Sequence, residues 1–377
     1  ELLMNPLKDL LVISIEQAVA APFCTMRLVE SGARVIKIER KDGDFARNYD
    51  QIESKDSSYF IWLNQGKESL VLDLKNKNDK KLLNKLFEKA DVFVLNLAPG
   101  SLKKLELKPD DLAKKFPNLI ICNISGFSNK TTIYEEKSYD LLIQAEAGII
   151  GVSGVIGSPG RIGISIVDIG TGMTAHAAIL NALLKRNMTG KGEVLNISMF
   201  DVAAEWMTVP FLQSNYSGID TKPAGLRHPT IAPYGAHTTK DEKTIIIAVQ
   251  NEREWERFCE VILSDKKITK HPHFCDNVQR VKNRSRLEKK IDKAVSNLNS
   301  KEFKLKLKQA QIAFAQVRNT SDLNLHEGFR TRQLVGSNGK TVSAPVSAFE
   351  QLSDDLQHKA PILGEHSILI KKEFLED

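Results

Sequence analysis

Cysteine is scarce in this sequence of 377 residues, which contains four: Cys24, Cys122, Cys259 and Cys275. None belongs to a C-x-x-C pair, and their wide spacing fits neither a zinc site nor a disulfide framework. Histidine is also sparse, and its one close group, KHPHF (270–274), has no partners at ligand spacing. We therefore predict reduced thiols, no bound metal and a cytoplasmic location.

Long apolar runs are missing as well. No segment reaches the roughly eighteen uncharged apolar residues that a membrane-spanning helix needs, so no membrane span is expected. The start of the chain, with Lys8 and LLVISIEQAVAAPF (10–23), imitates a signal peptide, but Glu16 and Gln17 interrupt its apolar core. We predict a short buried strand over 9–15 instead.

No concentrated charge of one sign is present. The net charge is +6 and the isoelectric point is about 8.9. Lys and Arg are spread along the chain among Asp and Glu, and no basic block is interleaved with aromatic residues. This pattern disfavours nucleic-acid binding, although a diffuse positive field would still attract a small polyanion.

Several common catalytic and nucleotide-binding motifs are absent. The glycine-rich stretch GVSGVIGSPG (151–160) lacks the lysine of a phosphate-binding loop, and no G-x-G-x-x-G follows a predicted strand. There is no G-x-S-x-G nucleophile elbow. The sequence therefore predicts neither a P-loop enzyme nor a serine hydrolase of the elbow type.

What the sequence does contain is the pattern of a folded α/β protein. Hydrophobic residues make up 42% and charged residues 27%, so disorder is not indicated. Strands are predicted at 10–15, 34–39, 69–74, 91–97 and 119–125, and helices at 21–30, 80–90 and 111–116. This alternation predicts a mostly parallel sheet with helices on both faces. Such sheets bind ligands at the carboxyl ends of their strands.

The second half of the chain continues with helices and then changes character. Helices are predicted over 139–149, from near 168–171 to 186 and over 200–212, with a strand at 194–199. The polar stretch NYSGIDTKPAG (215–225) predicts a domain boundary. A smaller α+β unit follows, with two strands in 237–250, a helix over 251–262 that Asn251 caps, and amphipathic helix over 279–310.

Asp168 is the acidic residue best placed for chemistry. It follows IGISIV and precedes IGTGM, at a strand end or a helix N-terminus. We interpret the neighbouring Gly170 and Gly172 as room for a ligand to approach. Taken alone, the residues favour a simple helix cap. The same choice, between a substrate contact and a cap, applies to Tyr139 and Asp140 at the start of an apolar helix.

Eight segments, in order along nearly the whole chain, carry a family resemblance. They are AAPFCTMRLVESGARVIKIER (20–40), NQGKESLVLDLK (64–75), ADVFVLNLAPGSLKKL (90–105), ISGFS (124–128), YDLLIQAEAG (139–148), VDIGTGM (167–173), RHPTIAPYGAH (227–237) and ILGEHS (362–367). Together they resemble the class III CoA-transferases, which include formyl-CoA:oxalate transferase, carnitine CoA-transferase and α-methylacyl-CoA racemase. Each segment alone is a weakly specific match, but the eight together are highly specific. They therefore favour a functional role for Asp168 over its interpretation as a simple helix cap.

The resemblance implies a fold and an assembly. It implies a Rossmann-like large domain built from both chain ends, here 1–214 and 331–377, with a smaller α+β domain, 225–330, between them. It also implies that two ring-shaped monomers interlock. Such a pair cannot separate without unfolding, so an obligate homodimer is expected.

The resemblance also implies a mechanism, because the family's nucleophilic aspartate falls on Asp168. Its carboxylate would attack an acyl-CoA such as succinyl-CoA and form a mixed anhydride, then an aspartyl-CoA thioester, from which a free acid takes the CoA. Tyr139 would be the second catalytic residue, and N–H groups near Gly170 would stabilise the oxyanions. Coenzyme A is then a substrate, and no permanently bound cofactor is expected.

Contacts to CoA follow by the same resemblance. Arg40, Lys75 and Lys104 would contact its phosphates and adenine, Leu72 would line the adenine slot, and Asp140 would also lie at the CoA site. Lys104 stands where relatives often have Arg, so this contact keeps its charge but loses the bidentate fork.

Departures from the family pattern distinguish between the activities that occur in the family. Tyr139 stands where the racemase branch has a histidine, and a phenol is a poor base at neutral pH. An acyl-CoA racemase or epimerase is therefore the first alternative, and a non-catalytic CoA-binding subunit the second. The glycine-rich lid of the formyl-CoA branch is absent, which disfavours formyl-CoA and oxalate. The segment beginning at Arg227 and His228 resembles branches that act on dicarboxylates, and Arg227 would pair with the second carboxylate.

Overall fold

The computed structural model describes residues 5–52, 56–218, 221–348 and 358–376. Its strands and helices, in chain order, are β1 (Leu11–Ile15), α1 (Ala20–Glu30), β2 (Arg34–Glu39), α2 (Ser58–Leu63), β3 (Glu68–Val71), α3 (Lys77–Lys89), β4 (Val92–Leu95), α4 (Pro99–Leu105), α5 (Pro109–Lys115), β5 (Ile120–Ser125), α6 (Asp140–Glu146), α7 (Ile149–Val152), β6 (Gly154–Val155), β7 (Ser158–Pro159), α8 (Ile166–Thr189), β8 (Val194–Ser198), α9 (Met199–Trp206), α10 (Thr208–Tyr216), β9 (Tyr234–Thr238), β10 (Thr244–Ala248), α11 (Glu252–Val261), α12 (Asn277–Lys282), α13 (Arg284–Val295), α14 (Ser300–Gln309), β11 (Ala313–Gln316), β12 (Thr331–Val335), β13 (Thr341–Pro345) and α15 (Ser367–Leu375).

The chain separates into two compact units. The first consists of residues 1–150, 161–217 and 330–377, and the second of residues 151–160 and 218–329. The sequence places breaks at 215–225 and at 330–331, and it leaves the glycine-rich stretch 151–160 in the large domain. In the structure that stretch forms the short hairpin β6–β7 and groups with the second unit.

The first unit contains a six-stranded parallel sheet in the order β3-β2-β1-β4-β5-β8. This confirms the predicted α/β class. Strand β4, VFVL, is a continuous apolar run, and in β1, LVISI, only Ser14 is polar, because helices cover both faces of these strands. The chain runs from β1 outward to β3 and then returns to the other side of β1 at β4. The crevice at the carboxyl ends of β1 and β4 is thus a topological switch point.

Two apolar layers hold the helices to this sheet. On one face, Ile13 and Phe93 pack with residues of α3 and α15, among them Phe87 and Phe374. On the other face, Val12 packs with residues of α1 and α8, among them Ala21 and Ile179. Successive residues of β1 thus enter opposite cores, which is the period-two alternation of a buried strand.

Helix α8 is the longest helix in the described part of the chain, and by length and composition alone it could cross a membrane. Of the most apolar 18-residue stretch of this helix, 50% is buried inside the protein. Its buried residues include Ala175, Ile179 and Leu183, which pack against α1 and the sheet. The core helix of a folded domain meets the same criteria, so this finding leaves the expectation of no membrane span unchanged.

The second unit has its own core. A three-stranded antiparallel sheet, β11-β10-β9, packs against helices through residues such as Trp255, Phe258 and Phe303. Asn251 caps α11 as predicted, since its side chain accepts a hydrogen bond from the N–H of Glu254 (3.0 Å). These contacts lie entirely within residues 218–329.

Two predicted helices are interrupted in the structure. The stretch 200–212 forms α9 and α10 with a break at Met207, because Pro210 has no N–H to continue the helical ladder. The stretch 279–310 forms three helices rather than one. The last of them begins at a capping box in which Asn299 and Glu302 bond each other's backbone N–H groups. The four cysteines are free thiols in the structure.

Candidate functional site

A cavity of about 600 Å³ opens at the carboxyl ends of β1, β4 and β5. The residues that line it are Gln17, Ala18, Val19, Ala20, Phe45, Tyr49, Tyr59, Asn96, Leu97, Ala98, Pro99, Ile124, Ser125, Gly126, Glu135, Glu136, Lys137, Ser138, Tyr139, Asp140, Leu141, Arg161, Ser165, Asp168 and Met199. All of them belong to the first unit. The cavity therefore lies where the sheet topology predicts a ligand site.

Asp168 is the third residue of α8 and lies half-buried in the wall of this cavity. Burial raises its pKa from the ordinary 3.8 to about 7, and the nearby negative charge of Asp140 adds to the effect. Among the described residues none donates a hydrogen bond to this carboxylate, and its pKa shift has no hydrogen-bond cause. A carboxylate with so little solvation is well suited to act as a nucleophile.

Asp140 fixes the backbone that carries Asp168. One carboxylate oxygen of Asp140 accepts hydrogen bonds from the N–H groups of Val167 (2.7 Å) and Asp168 (3.1 Å). The other accepts from Nε2 of Gln144 (2.7 Å). Both oxygens are occupied by donors from the chain itself, so the structure gives Asp140 a positioning role. The predicted contact of Asp140 with CoA stays a prediction.

Gln144 is a functional residue that sequence reasoning missed. It is fully buried, and while its Nε2 binds Asp140, its Oε1 accepts the N–H of Ile162 (2.9 Å). It thereby ties the loop before α8 to α6. The available signal was its spacing, because residues four apart on a helix are neighbours on one face.

The predicted oxyanion donors near Gly170 are contradicted by the structure. The N–H groups of Val167 and Asp168 bind Asp140, that of Ile166 binds the carbonyl of Ile164 (2.8 Å), and that of Ile169 binds the carbonyl of Ser165. The N–H of Gly170 lies a full turn into the helix, where such groups bond to the preceding turn.

Gly170 and Gly172 allow close packing of neighbouring elements. This corrects the interpretation of the two glycines as room for a ligand to approach Asp168. A Cβ on Gly170 would lie 2.1 Å from the ring of Trp206. A Cβ on Gly172 would lie 2.6 Å from the carbonyl oxygen of Ala20 and 2.9 Å from Cβ of Phe23. A side chain at Gly172 would push against the backbone of α1, and one at Gly170 would displace the ring of Trp206.

Three tyrosines line the cavity: Tyr49, Tyr59 and Tyr139. Tyr139 is 59% exposed, lines the cavity and precedes α6. Tyr49 was not predicted from sequence; burial, with the charges of Asp44 and Asp168, raises its pKa to about 12. Its phenol therefore stays protonated and can donate a hydrogen bond to a ligand.

The predicted CoA contacts lie elsewhere on the first unit. Arg40 and Lys75 are exposed and follow β2 and β3, and Lys104 is exposed in the last turn of α4. Leu72 is only 2% exposed and belongs to the apolar core, so its side chain has little free surface for adenine. None of these four is among the described residues that line the cavity. Their roles stay predictions.

Arg227 and His228 have partners within the second unit. Nε of Arg227 lies 2.7 Å from Oε1 of Glu288, and the ring of His228 stacks on Tyr234 with centroids 5.1 Å apart. Both contacts are made within the second unit. Binding of the acceptor acid by Arg227 and His228 stays a prediction.

Among the described residues no group of three or more His, Cys, Asp or Glu could hold a metal ion.

Comparisons with known proteins identify the family of this chain. The family model for CoA-transferase family III matches residues 7–367. The acetyl-CoA:oxalate CoA-transferase of Acetobacter aceti is 31% identical, with 98% of this chain and 96% of that protein covered. The succinyl-CoA:mesaconate CoA-transferase of Haloarcula hispanica is 30% identical, with 96% and 95% covered, and the mouse succinyl-CoA:glutarate CoA-transferase is 28% identical, with 99% and 87% covered.

Solved structures show the same fold. A CAIB/BAIF family protein from Brucella suis has a TM-score of 0.82 at 28% identity, with 98% of this chain and 99% of that chain covered. The Mycobacterium tuberculosis protein Rv3272 has a TM-score of 0.85 at 25% identity, with 97% and 99% covered. Since the family model spans almost the whole sequence, this chain belongs to CoA-transferase family III and is an enzyme that transfers coenzyme A.

Proposed function

We propose that this enzyme moves CoA from succinyl-CoA to a free dicarboxylic acid through an aspartyl-CoA thioester on Asp168. The observation that carries the proposal is the half-buried Asp168 carboxylate, with a pKa of about 7, in a cavity at the switch point of the sheet. The names of three relatives supply the acceptor class, because oxalate, mesaconate and glutarate are all dicarboxylates. Oxalate thereby returns as a candidate although the sequence disfavours it.

The proposed reaction needs no oxidant and no net proton transfer. The Asp168 carboxylate attacks the thioester carbonyl, the C–S bond breaks, and a mixed anhydride and the CoA thiolate result. The thiolate then attacks the aspartyl carbonyl of the anhydride and releases the donor acid. The acceptor carboxylate repeats these steps in reverse. Water must be excluded because it would hydrolyse the anhydride.

Gln17 is the candidate donor to the oxyanions in this scheme. Its N–H and its carbonyl are both held by the side chain of Asn96, each at 2.9 Å, which fixes the turn after β1. Gln17 itself lines the cavity, and no hydrogen bond of its side chain is found among the described residues, so its carboxamide is available. Tyr139 and Tyr49 line the same cavity, and their hydroxyls are further candidate donors.

The remaining parts of the proposal rest on the family resemblance. Arg40, Lys75 and Lys104 would hold the phosphates of CoA, and the active enzyme would be a cytoplasmic homodimer. The racemase alternative is less well supported, because no histidine occurs among the described residues that line the cavity to serve as a second base. A purely CoA-binding role would leave the raised pKa of Asp168 without a use.

The covalent intermediate can be detected by intact-protein mass spectrometry. We expect wild-type enzyme mixed with succinyl-CoA to gain a CoA-sized or acyl adduct that hydroxylamine or borohydride converts to a stable product at Asp168. The variant Asp168→Ala should show no adduct, because it lacks the attacking carboxylate. Absence of any adduct with several acyl-CoA donors, together with deuterium exchange at the α-carbon, would instead favour the racemase.

The pH dependence of the reaction tests the role of Asp140. The nucleophile must be ionised, so the rate of adduct formation should rise with pH through about 7. The charge of Asp140 raises the pKa of Asp168. Asp140→Asn should therefore move the rising part of the pH–rate profile to lower pH. The rate plateau should also fall about 10-fold or more, because an asparagine amide would face the donor group of Gln144.

A control variant on the same helix separates this effect from a general one. Glu146 is exposed at the end of α6. Glu146→Gln should therefore leave both the rising part and the plateau of the pH–rate profile unchanged. An unshifted rising part in Asp140→Asn would contradict the electrostatic coupling between the two carboxylates.

A further inference from the structure

Arg161 is an exposed residue in the loop that leads into α8, and it lines the cavity that contains Asp168. Its Nη2 donates to the carbonyl of Gly163 (3.1 Å). Within the described ranges no carboxylate forms an ion pair with it. Its guanidinium therefore keeps most of its N–H groups available to a ligand.

The same two buried side chains hold Arg161 and Asp168 in place. Gln144 binds both the N–H (2.9 Å) and the carbonyl (3.4 Å) of Ile162, the residue next to Arg161. Asp140, which Gln144 contacts, binds the N–H of Asp168. Because Asp140 and Gln144 are 8% and 0% exposed, this scaffold is well anchored. The backbone segments that carry Arg161 and Asp168 are thus both held by side chains of α6.

Other cations are less suited to a carboxylate in this cavity. Arg227 directs its Nε to Glu288 (2.7 Å) within the second unit. Lys137 lines the cavity, but an ammonium lacks the planar fork that binds a carboxylate through two parallel hydrogen bonds. Arg161 is the one arginine among the described residues of the lining.

We propose that Arg161 binds the second carboxylate of the acceptor acid while the first reacts at Asp168. This inference rests on the proposed function and makes Arg161, rather than Arg227, the residue that selects dicarboxylates. The cavity wall carries several carboxylates, including Glu135, Glu136 and Asp140, so a dianionic acceptor needs a cation there. The guanidinium would stabilise the acceptor in its ground state and in the transition state alike, which affects KM more than kcat.

The test compares acceptors that differ in one group. Glutarate and pentanoate have the same carbon chain, but pentanoate has a methyl in place of the second carboxylate. In Arg161→Gln we expect KM for glutarate to rise about 10- to 100-fold, as for loss of a charge-assisted pair, with kcat changed less than about 3-fold. The KM, or inhibition constant, of pentanoate should not change. Arg161→Lys should recover part of the loss.

Controls separate this inference from the proposed function. The adduct of wild-type enzyme with succinyl-CoA reports on the covalent mechanism alone, whereas the acceptor KM reports on Arg161. Arg318 is exposed in the second unit, and Arg318→Gln should match the wild type. An adduct in wild type combined with an unchanged glutarate KM in Arg161→Gln would overturn the role of Arg161. So would an equal rise for pentanoate, or no turnover of glutarate, mesaconate or oxalate.

Discussion

Replacing Asp168 with asparagine is expected to abolish CoA transfer and, above pH 7, to stabilise the folded protein. The loss of activity follows from the mechanism, because an amide cannot form the mixed anhydride. We expect kcat to fall at least about 10³-fold, as for removal of a covalent nucleophile. The steady-state rate of CoA transfer from succinyl-CoA to glutarate measures this loss.

The stabilisation follows from the pKa of Asp168. In the folded protein this pKa is about 7, against an ordinary 3.8 in the unfolded chain. Between these values the folded state holds a proton that the unfolded state has lost, so stability falls as pH rises. Above pH 7 the full cost of the buried charge is present. Asp168→Asn removes that charge, and we expect a gain of about 1–3 kcal/mol at pH 8.

Urea unfolding at two pH values measures this gain. The midpoint of Asp168→Asn should exceed that of wild type clearly at pH 8 and much less near pH 4. The control Glu146→Gln, which alters an exposed carboxylate of α6, should show no such pH-dependent difference. Equal midpoint differences at both pH values would show that the Asp168 charge is not strained in the folded state.

The second large effect is expected for Lys67→Met, which should destabilise the protein by about 3–5 kcal/mol. The side chains of Glu16, Lys37 and Lys67 have no exposed surface. Nζ of Lys67 lies 2.7 Å from Oε1 of Glu16 and donates to the carbonyl of Pro22 (3.1 Å). Burial opposes the ionised form of Glu16, but the charges of Lys67 and Lys37 lower its pKa below the usual value. Without Lys67, a buried carboxylate loses its nearest cation.

This buried cluster also supports the cavity. Nζ of Lys37 binds Asp44 (2.8 Å), and the other oxygen of Asp44 accepts the N–H of Ala18 (3.1 Å). Ala18 lines the cavity and has a φ of 62°, in the left-handed region that alanine rarely adopts. Lys67→Met should therefore lower activity as well as stability, because the turn at Ala18 loses part of its support.

A double variant distinguishes an unpaired charge from lost packing. In Lys67→Met/Glu16→Leu both charges are gone, and replacement of a buried ion pair by apolar residues of similar size is often nearly neutral. We expect the double variant to recover most of the urea midpoint lost in Lys67→Met. A double variant that is less stable than the single one would show that the pair itself, and not the orphaned Glu16, supplies the stability.

Much of the fold follows from local patterns in the sequence. The apolar runs at 10–15, 34–39 and 119–125 predict strands that the structure contains with boundaries within one residue. The cap at Asn251 was predicted from its own neighbours. These features depend on side chains a few positions apart, so they can be predicted without knowing the tertiary fold. The same is true of the family, because its segments occur in order along one chain.

The candidate site depends on contacts that no local pattern predicts. The sequence by itself determined the parallel α/β class, the CoA-transferase family and the acidic residue Asp168. Only the tertiary structure decided that Asp140 and Gln144 hold that acid in place, that Gly170 and Gly172 admit neighbouring helices, and that Arg161 faces the cavity while Arg227 pairs with Glu288. The physical reason is that hydrogen bonding, steric room and pKa depend on which distant segments come within a few ångströms of each other.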